Sequence, residues 1–332
     1  MFDFSMEQSN GNESLFFSVL QLPLIGCVKI PLCIGNLLPA GALEEQMTSE
    51  LPTQPPIMRL KRRVMFSAGH AYWMVGLSDE QNRAMFGRWA SSYGHGHNYT
   101  VEVTFEGAVD PATGMIVNIV DIDRCIKQNV LALVADKHLT YEVAWFAERQ
   151  ATLENITEFI WQQVETHFTD ARARLCEIIV WESPTLYATR TTSGGNPMVS
   201  LTRCIDFAAS HRLHAPGLSD EENVAIFGKC NHKGGHGHNY GVEVTVTGEP
   251  DRVTGMLIDL EALDVVIDEH IMQVFDHKCL NDDVPEFVGS NPTSENLTLV
   301  IWNRVKDHIP APARLARIIV RETERNYFEY AG

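Results

Sequence analysis

The chain is 332 residues long and 45% hydrophobic, enough for two domains of ordinary size with hydrophobic cores, which excludes a disordered or fibrous protein. Lys and Arg number 26 against 43 Asp and Glu, a net charge of -17, so no overall field draws the chain to nucleic acid or to an anionic membrane. Seven cysteines, an odd count with no C-x-x-C pair, argue against a disulfide framework and for a reducing compartment, and the expected location is the cytoplasm.

Residues 1–57 differ from the rest. An apolar stretch from Leu15 to Leu43 is interrupted by Pro23, Lys29, Pro31 and Pro39, which suits no membrane-spanning helix. Asp3, Glu7 and Glu13 stand where a signal peptide carries basic residues. This segment is read as a disordered leader or as an over-long start ahead of Met58, outside the fold.

From Met58 onward the chain repeats itself. Phe66-Ser-Ala-Gly-His70 returns as Phe207-Ala-Ala-Ser-His211, and Gly94-His-Gly-His-Asn-Tyr99 as Gly235-His-Gly-His-Asn-Tyr240, at a constant offset of 141 residues. The offset holds at Gly114-Met115 against Gly255-Met256, at Glu154-Asn155 against Glu295-Asn296 and at Trp161 against Trp302, then falls to 140 at Glu182 against Glu322. Two homologous domains are therefore expected, 58–190 and 200–332, with 191–199 as a flexible linker.

The second repeat is the clearer to read. Thr202 to Leu213 and Asn239 to Gly248 read as strands, the latter alternating Val242, Val244 and Val246 with Glu243, Thr245 and Thr247. Leu260, Leu263, Ile267, Ile271 and Val274 recur at helical spacing, as do Leu297, Val300, Ile301 and Val305 behind a Thr293 N-cap with Glu295 in the first turn. Arg314 to Glu322 and Asn326 to Tyr330 close the unit as strands. The order is ββααββ, an α+β fold with an antiparallel sheet and both helices on one face. So small a sheet has open edges, which predicts that units pair edge to edge into an oligomer.

His236 and His238, two apart at the start of a strand, leave the same face of the sheet. His211 ends the preceding strand, and three histidines without a fourth protein ligand form the open site of a catalytic zinc. His70, His95 and His97 repeat the set, so Zn2+ is expected in both halves. Cys230 lies six residues before His236 in a Gly-rich loop where Lys229, Lys233 and a metal would favour the thiolate. Asp276-His277 follows the first long helix, where the carboxylate can fix the tautomer of a proton-carrying imidazole.

Phe207-Ala-Ala-Ser-His211, Phe227-Gly-Lys-Cys230-Asn, Gly235-His-Gly-His-Asn-Tyr240, Asp276-His277-Lys, Pro292-Thr-Ser-Glu-Asn296 and Glu322-Thr together resemble the 6-pyruvoyltetrahydropterin synthase family, here duplicated in tandem. The resemblance implies the tunnelling fold, in which three ββααββ units complete a β-barrel and two rings stack. It implies a reaction in which 7,8-dihydroneopterin triphosphate loses triphosphate and rearranges to 6-pyruvoyltetrahydropterin without an external redox cofactor. It further implies that Cys230, Asp276 and His277 are the acid–base groups, that Glu322 anchors the pterin, and that Thr293 and Ser294 line its pocket. In the family the cysteine and metal come from one subunit and the Asp-His pair from its ring neighbour. Charge alone suggests Lys229, Lys233 or Arg212 for the triphosphate.

The first repeat departs from the pattern. At the offset of 141, Trp89 replaces Cys230, Ala135 replaces Asp276 and Asp136 replaces His277, although a one-residue slip would bring Asp136 onto Asp276. This repeat is expected to bind zinc and to be unable to do the chemistry. If like repeats gather in separate rings, three chains would mimic the family's hexamer. Two other readings stand beside this one: the related 6-carboxytetrahydropterin synthase, against which the six-residue spacing of Cys230 from His236 argues, and a non-catalytic pterin-binding protein.

Overall fold

The computed structural model describes residues 55–192 and 198–332; most of the 1–57 segment and the centre of the linker fall outside them. Four strands build the first repeat: β1 (Ile57–His70), β2 (His95–Ala108), β3 (Ala173–Ser183) and β4 (Leu186–Thr191). In the second, β5 (Met198–His211), β6 (His236–Thr247), β8 (Arg314–Thr323) and β9 (Asn326–Tyr330) correspond to them, with a two-residue β7 (Lys278–Cys279) added. The sheet runs β1-β2-β3-β4-β5-β6-β8-β9 and is antiparallel throughout that path, while β7 lies parallel to β5. The α+β architecture of two repeats is thus as expected from the periodicities.

Side-chain alternation explains the layering. Tyr240, Val242, Val244 and Val246 point one way from β6 and are buried, as a strand facing a helical layer requires. On the other face Thr245 and Thr202 are also buried, and their hydroxyls meet at 2.9 Å.

Helix α1 (Asp79–Phe86) begins at a reciprocal cap between Ser78 and Gln81, and its counterpart α4 (Asp220–Phe227) at one between Ser219 and Glu222. These two helices lie between the first two strands of each repeat and extend the expected ββααββ order. Helix α2 (Ile119–Ile126) continues through a π-helical turn, Lys127–Leu131, and α5 (Leu260–Ile267) through Asp268–Met272. Helices α3 (Leu153–His167) and α6 (Ser294–Val305) start at Thr152 and Thr293, each accepting a hydrogen bond from the N–H three residues on. Leu297, Ile301 and Val305 of α6 join Val242, Val244 and Ile318 in one apolar core, which also takes in the first repeat.

The joint between repeats is a strand pair. β4 and β5 are hydrogen-bonded from Leu186 opposite Arg203 to Thr191 opposite Met198, and the Cys204 N–H donates to the Thr185 carbonyl at 2.9 Å. The two repeats of one chain are therefore lateral neighbours in one sheet. This corrects the stacking of like repeats in separate rings, because the edge that β5 would offer to another second repeat is already bonded to β4.

Candidate functional site

β5 and β6 pair so that His211 stands opposite His236, and His238 follows on the same face. The ligand atoms of these three lie within 4.8 Å of one another, as do those of His70, His95 and His97. His211 Nδ1 meets the Pro292 carbonyl at 2.7 Å, and His70 Nδ1 meets that of Ala151 at 2.6 Å. A carbonyl accepts only from a protonated nitrogen, so each bond puts the ring proton on Nδ1 and leaves Nε2 with its lone pair turned inward. Those Nε2 atoms are 3.2 Å from Nε2 of His236 and His95 respectively.

Nitrogens converging this closely call for a cation between them. His97 Nε2 and His238 Nε2 are buried without a hydrogen-bond partner among the described residues, which fits metal ligation in both halves. Burial disfavours the imidazolium in all six rings: it pulls His70 down to about 3 and His97 to about 4, and lowers His95, His211, His236 and His238. Neutral imidazoles are the form that binds a metal.

Glu322, at the end of β8, closes the second triad, with Oε1 3.7 Å from His238 Nε2 and 3.9 Å from His211 Nε2. Glu182 repeats this against His97 at 3.7 Å. Burial, reinforced by the charge of Glu154, pushes the Glu182 carboxyl up to about 7.

The Cys230 turn, Gly228–Asn231, is tied to the chain just past His211. The Leu213 N–H donates to the Cys230 carbonyl at 2.9 Å, Asn231 Nδ2 to the Leu213 carbonyl at 2.8 Å, and Arg212 Nε to the Asn231 carbonyl at 3.0 Å. The half-buried Cys230 is thereby tied to the two residues that follow His211. A cleft of about 720 Å³ is lined by Arg212, Lys229, Lys233 and His236 among others, so the three cations suggested for triphosphate line one cleft. In the first repeat Trp89 holds the cysteine's position; its indole N–H is buried without a partner among the described residues and Arg88 lies 4.6 Å over its ring.

Asp276 and His277 form a pair with 2.9 Å between Oδ2 and Nδ1. Asp276 Oδ1 accepts the Ala208 N–H at 3.0 Å, and the His277 N–H donates to the Ala208 carbonyl at 2.6 Å. These bonds clamp the pair to the edge of β5, with His277 in a left-handed turn at φ 57°. Its ring is 82% exposed, turned outward from its own chain. It lines a second, open cleft with Ser210, His238 and Asn239.

The corresponding turn in the first repeat settles the register. Asp136 has φ 59°, and its N–H donates to the Ser67 carbonyl at 2.7 Å, as His277 does to that of Ala208. Asp136 thus occupies the place of His277 and Ala135 that of Asp276, with no slip. Thr293 uses its hydroxyl to cap α6, and the Ser294 hydroxyl is buried without a partner among the described residues; neither is set beside the histidines by a described contact. The sequence reading overlooked His138, whose two ring nitrogens are buried without a hydrogen-bond partner among the described residues and whose ring stacks on Tyr141 at 4.4 Å. Its only signal was its place as the second polar residue after Asp136, in Asp136-Lys137-His138.

Among the described residues no helix is long and apolar enough to cross a membrane. The family model described as 6-pyruvoyl tetrahydropterin synthase matches twice, at residues 59–193 and 200–332. A 6-pyruvoyl tetrahydrobiopterin synthase of Drosophila melanogaster is 45% identical over 136 residues, 41% of this chain and 81% of the relative. The human protein of that name is 45% identical over 144 residues, 43% of this chain and 99% of the relative. A solved Caenorhabditis elegans 6-pyruvoyl tetrahydropterin synthase is 39% identical, covers 41% of this chain and 96% of its own, and superposes with a TM-score of 0.40.

Proposed function

The chain belongs to the 6-pyruvoyl tetrahydropterin synthase family, and we propose that its second repeat converts 7,8-dihydroneopterin triphosphate into 6-pyruvoyltetrahydropterin, with elimination of triphosphate and internal redox rearrangement. The observation that carries this reading is the convergence of His211, His236 and His238 with Glu322 and the tethered Cys230 turn in that one repeat. A zinc ion held by the three imidazoles supplies a Lewis acid for the side-chain oxygens of the substrate.

The other roles fall to the chain's own groups. Cys230 as thiolate takes a proton from a side-chain carbon, and His277, oriented by Asp276, returns one; such positioned groups contribute roughly 10²–10⁴-fold each. Because the His277 ring faces away from its own chain, it suits a site on a neighbouring subunit of a homo-oligomer. Glu322 offers two oxygens to the exocyclic amine and ring N–H of the pterin, with Thr293 and Ser294 nearby in the pocket wall. Arg212, Lys229 and Lys233 meet the triphosphate. The first repeat keeps His70, His95, His97 and Glu182 but carries Trp89, Ala135 and Asp136 where proton transfer needs other groups, so it holds metal without turnover. Five described cysteines are free thiols, which supports work in the reducing cytoplasm.

The test is incubation of the zinc-loaded protein with 7,8-dihydroneopterin triphosphate and identification of the products by mass spectrometry, beside Cys230→Ala and Trp89→Ala. The reading requires 6-pyruvoyltetrahydropterin, lost in Cys230→Ala and retained in Trp89→Ala. Release of acetaldehyde with 6-carboxytetrahydropterin would assign the chain to the other reaction, and binding without product would make it a pterin-binding protein.

A further inference from the structure

In the first repeat the residues that would meet a polyanion have changed along with the acid–base groups. At the shared offset of 141, Arg212 becomes Ala71, Lys233 becomes Ser92 and Lys229 becomes Arg88. Ala71 is fully buried, and Ser92 is exposed without a charge. Arg88 keeps a cation, but it bridges to Asp264 at 3.0 Å and lies over the Trp89 ring. A triphosphate is held by several cations acting together, and these three positions supply one, already paired within the chain.

The part of the site that would meet a heterocycle is kept and altered in the opposite sense. A cleft of about 610 Å³ is lined by His97, Trp181, Glu182 and Arg63 among others. The Glu182 side chain is 10% exposed, and its Oε1 stands 3.7 Å from His97 Nε2, beyond hydrogen-bond reach. Its Oε2 is buried with no hydrogen-bond partner among the described residues. In the second repeat one oxygen of Glu322 accepts from Asn326 Nδ2 at 3.1 Å. The counterpart of Asn326 at the offset of 140 is Leu186, buried and without a side-chain donor. A buried acceptor left in this state is costly until a ligand brings it a donor.

Trp181 adds a flat surface to the same cleft, where the second repeat has Arg321. Its ring packs on Tyr187 with 4.1 Å between centroids, which fixes it as an aromatic wall. Arg63 lines the cleft as well, but its guanidinium is bonded to Glu102 at 3.0 Å. Every difference at this site thus removes a free cation or a competing donor, or adds an aromatic face.

We propose that the first repeat is a binding site for pterins that carry no phosphate. The proposal rests on the reading of the second repeat as the synthase, and it assigns the first repeat a ligand of the product class, a reduced pterin with an uncharged side chain. Glu182 accepts from the exocyclic amine and the adjacent ring N–H, two parallel donors that match its two oxygens, and Trp181 borders the heterocycle. The bound pterin does not react, because Trp89, Ala135 and Asp136 stand where the second repeat has Cys230, Asp276 and His277. One chain therefore holds two pterins of different kinds, the phosphorylated one only in the second repeat.

The test is ligand stoichiometry by titration calorimetry on the full zinc-loaded chain carrying Cys230→Ala, which prevents turnover. The two probes are 7,8-dihydroneopterin and 7,8-dihydroneopterin triphosphate. Dihydroneopterin should occupy two sites per chain, and the triphosphate, at concentrations that saturate the second repeat, only one. Adding Glu182→Gln should weaken one dihydroneopterin site by roughly tenfold or more and leave the triphosphate isotherm unchanged. Glu322→Gln should do the reverse, weakening the triphosphate site while one dihydroneopterin site persists. A single dihydroneopterin site that ignores Glu182→Gln, or two triphosphate sites of equal affinity, overturns the proposal. The comparison of the two probes needs no change in the first repeat, so it decides even where Glu182→Gln fails to fold. All of these readouts are free of turnover: absence of 6-pyruvoyltetrahydropterin from the parent chain would end the synthase reading, and the count of dihydroneopterin sites would still be read separately.

Discussion

The Glu154 carboxylate accepts the Leu257 N–H at 2.8 Å across the seam between the two repeats, and it does so while buried. Burial raises its pKa, although that hydrogen bond opposes the rise. The folded chain therefore holds a proton on Glu154 more tightly than the unfolded chain, where a Glu titrates near about 4.3. The stability this supplies is complete below that value and is lost as pH climbs through the raised folded value. Glu154→Gln keeps the acceptor oxygen and removes the ionisation. Its melting temperature should exceed that of the parent at pH 8, with the gap closing towards pH 4; a variant less stable than the parent at pH 8 would show that the charge strengthens the seam.

Two histidine sets of the same geometry predict two zinc ions per chain. His238→Ala should leave one, bound by His70, His95 and His97, and His97→Ala should leave one at the other set. Metal analysis after dialysis distinguishes the variants from the parent. Retention of two ions in either would mean that a metal sits elsewhere. Turnover should disappear in His238→Ala and persist in His97→Ala, since only the second set adjoins Cys230.

Much of this was legible in the sequence because it repeats. The strands ending in Glu322 and Tyr330, the Thr293 cap and the six histidines follow from periodicity, capping chemistry and the offset of 141 residues. Helices α1 and α4 escaped because they have no apolar stripe: Val224 and Ile226 of α4 are 60% and 62% exposed, so their spacing carries no inward face. The seam escaped for a different reason. An internal repeat says that two units share a fold, but the edge they share depends on strand pairing over long separations, such as Leu186 with Arg203, which no local pattern encodes. The position of Asp136 needed the backbone itself, since only the left-handed turn it shares with His277 distinguishes the two registers.

Asp276 is held by the chain as well as holding His277. Its carboxyl lies below the usual range because the Ala208 N–H donates to it and His277 is adjacent. In Asp276→Asn the side-chain oxygen can still accept from Ala208, so the turn should persist, but the carboxylate oxygen that meets His277 Nδ1 at 2.9 Å and orients its ring is gone. The expected result is a fall in kcat of roughly 10²-fold or more with little change in KM. An unchanged kcat would remove the pair from proton transfer.

The first repeat offers a test by gain of function, because its backbone is already shaped for what it lacks. Asp136 stands in the turn of His277 with the matching bond to Ser67, Ala135 has the place of Asp276, and Trp89 that of Cys230. The Trp89 indole N–H has no partner among the described residues, so its removal leaves no acceptor unsatisfied, although the space it fills must be taken up by water or substrate. In a Cys230→Ala background, Trp89→Cys alone restores a thiol whose only proton carrier is the Asp276-His277 pair of a neighbouring second repeat. Trp89→Cys with Ala135→Asp and Asp136→His supplies the full set beside His70, His95, His97 and Glu182. Turnover should rise by roughly 10²-fold or more over Cys230→Ala, read as 6-pyruvoyltetrahydropterin formed per chain. If the triple change binds zinc and stays inactive, the deficit of the first repeat lies in its pterin pocket and not in its acid–base groups.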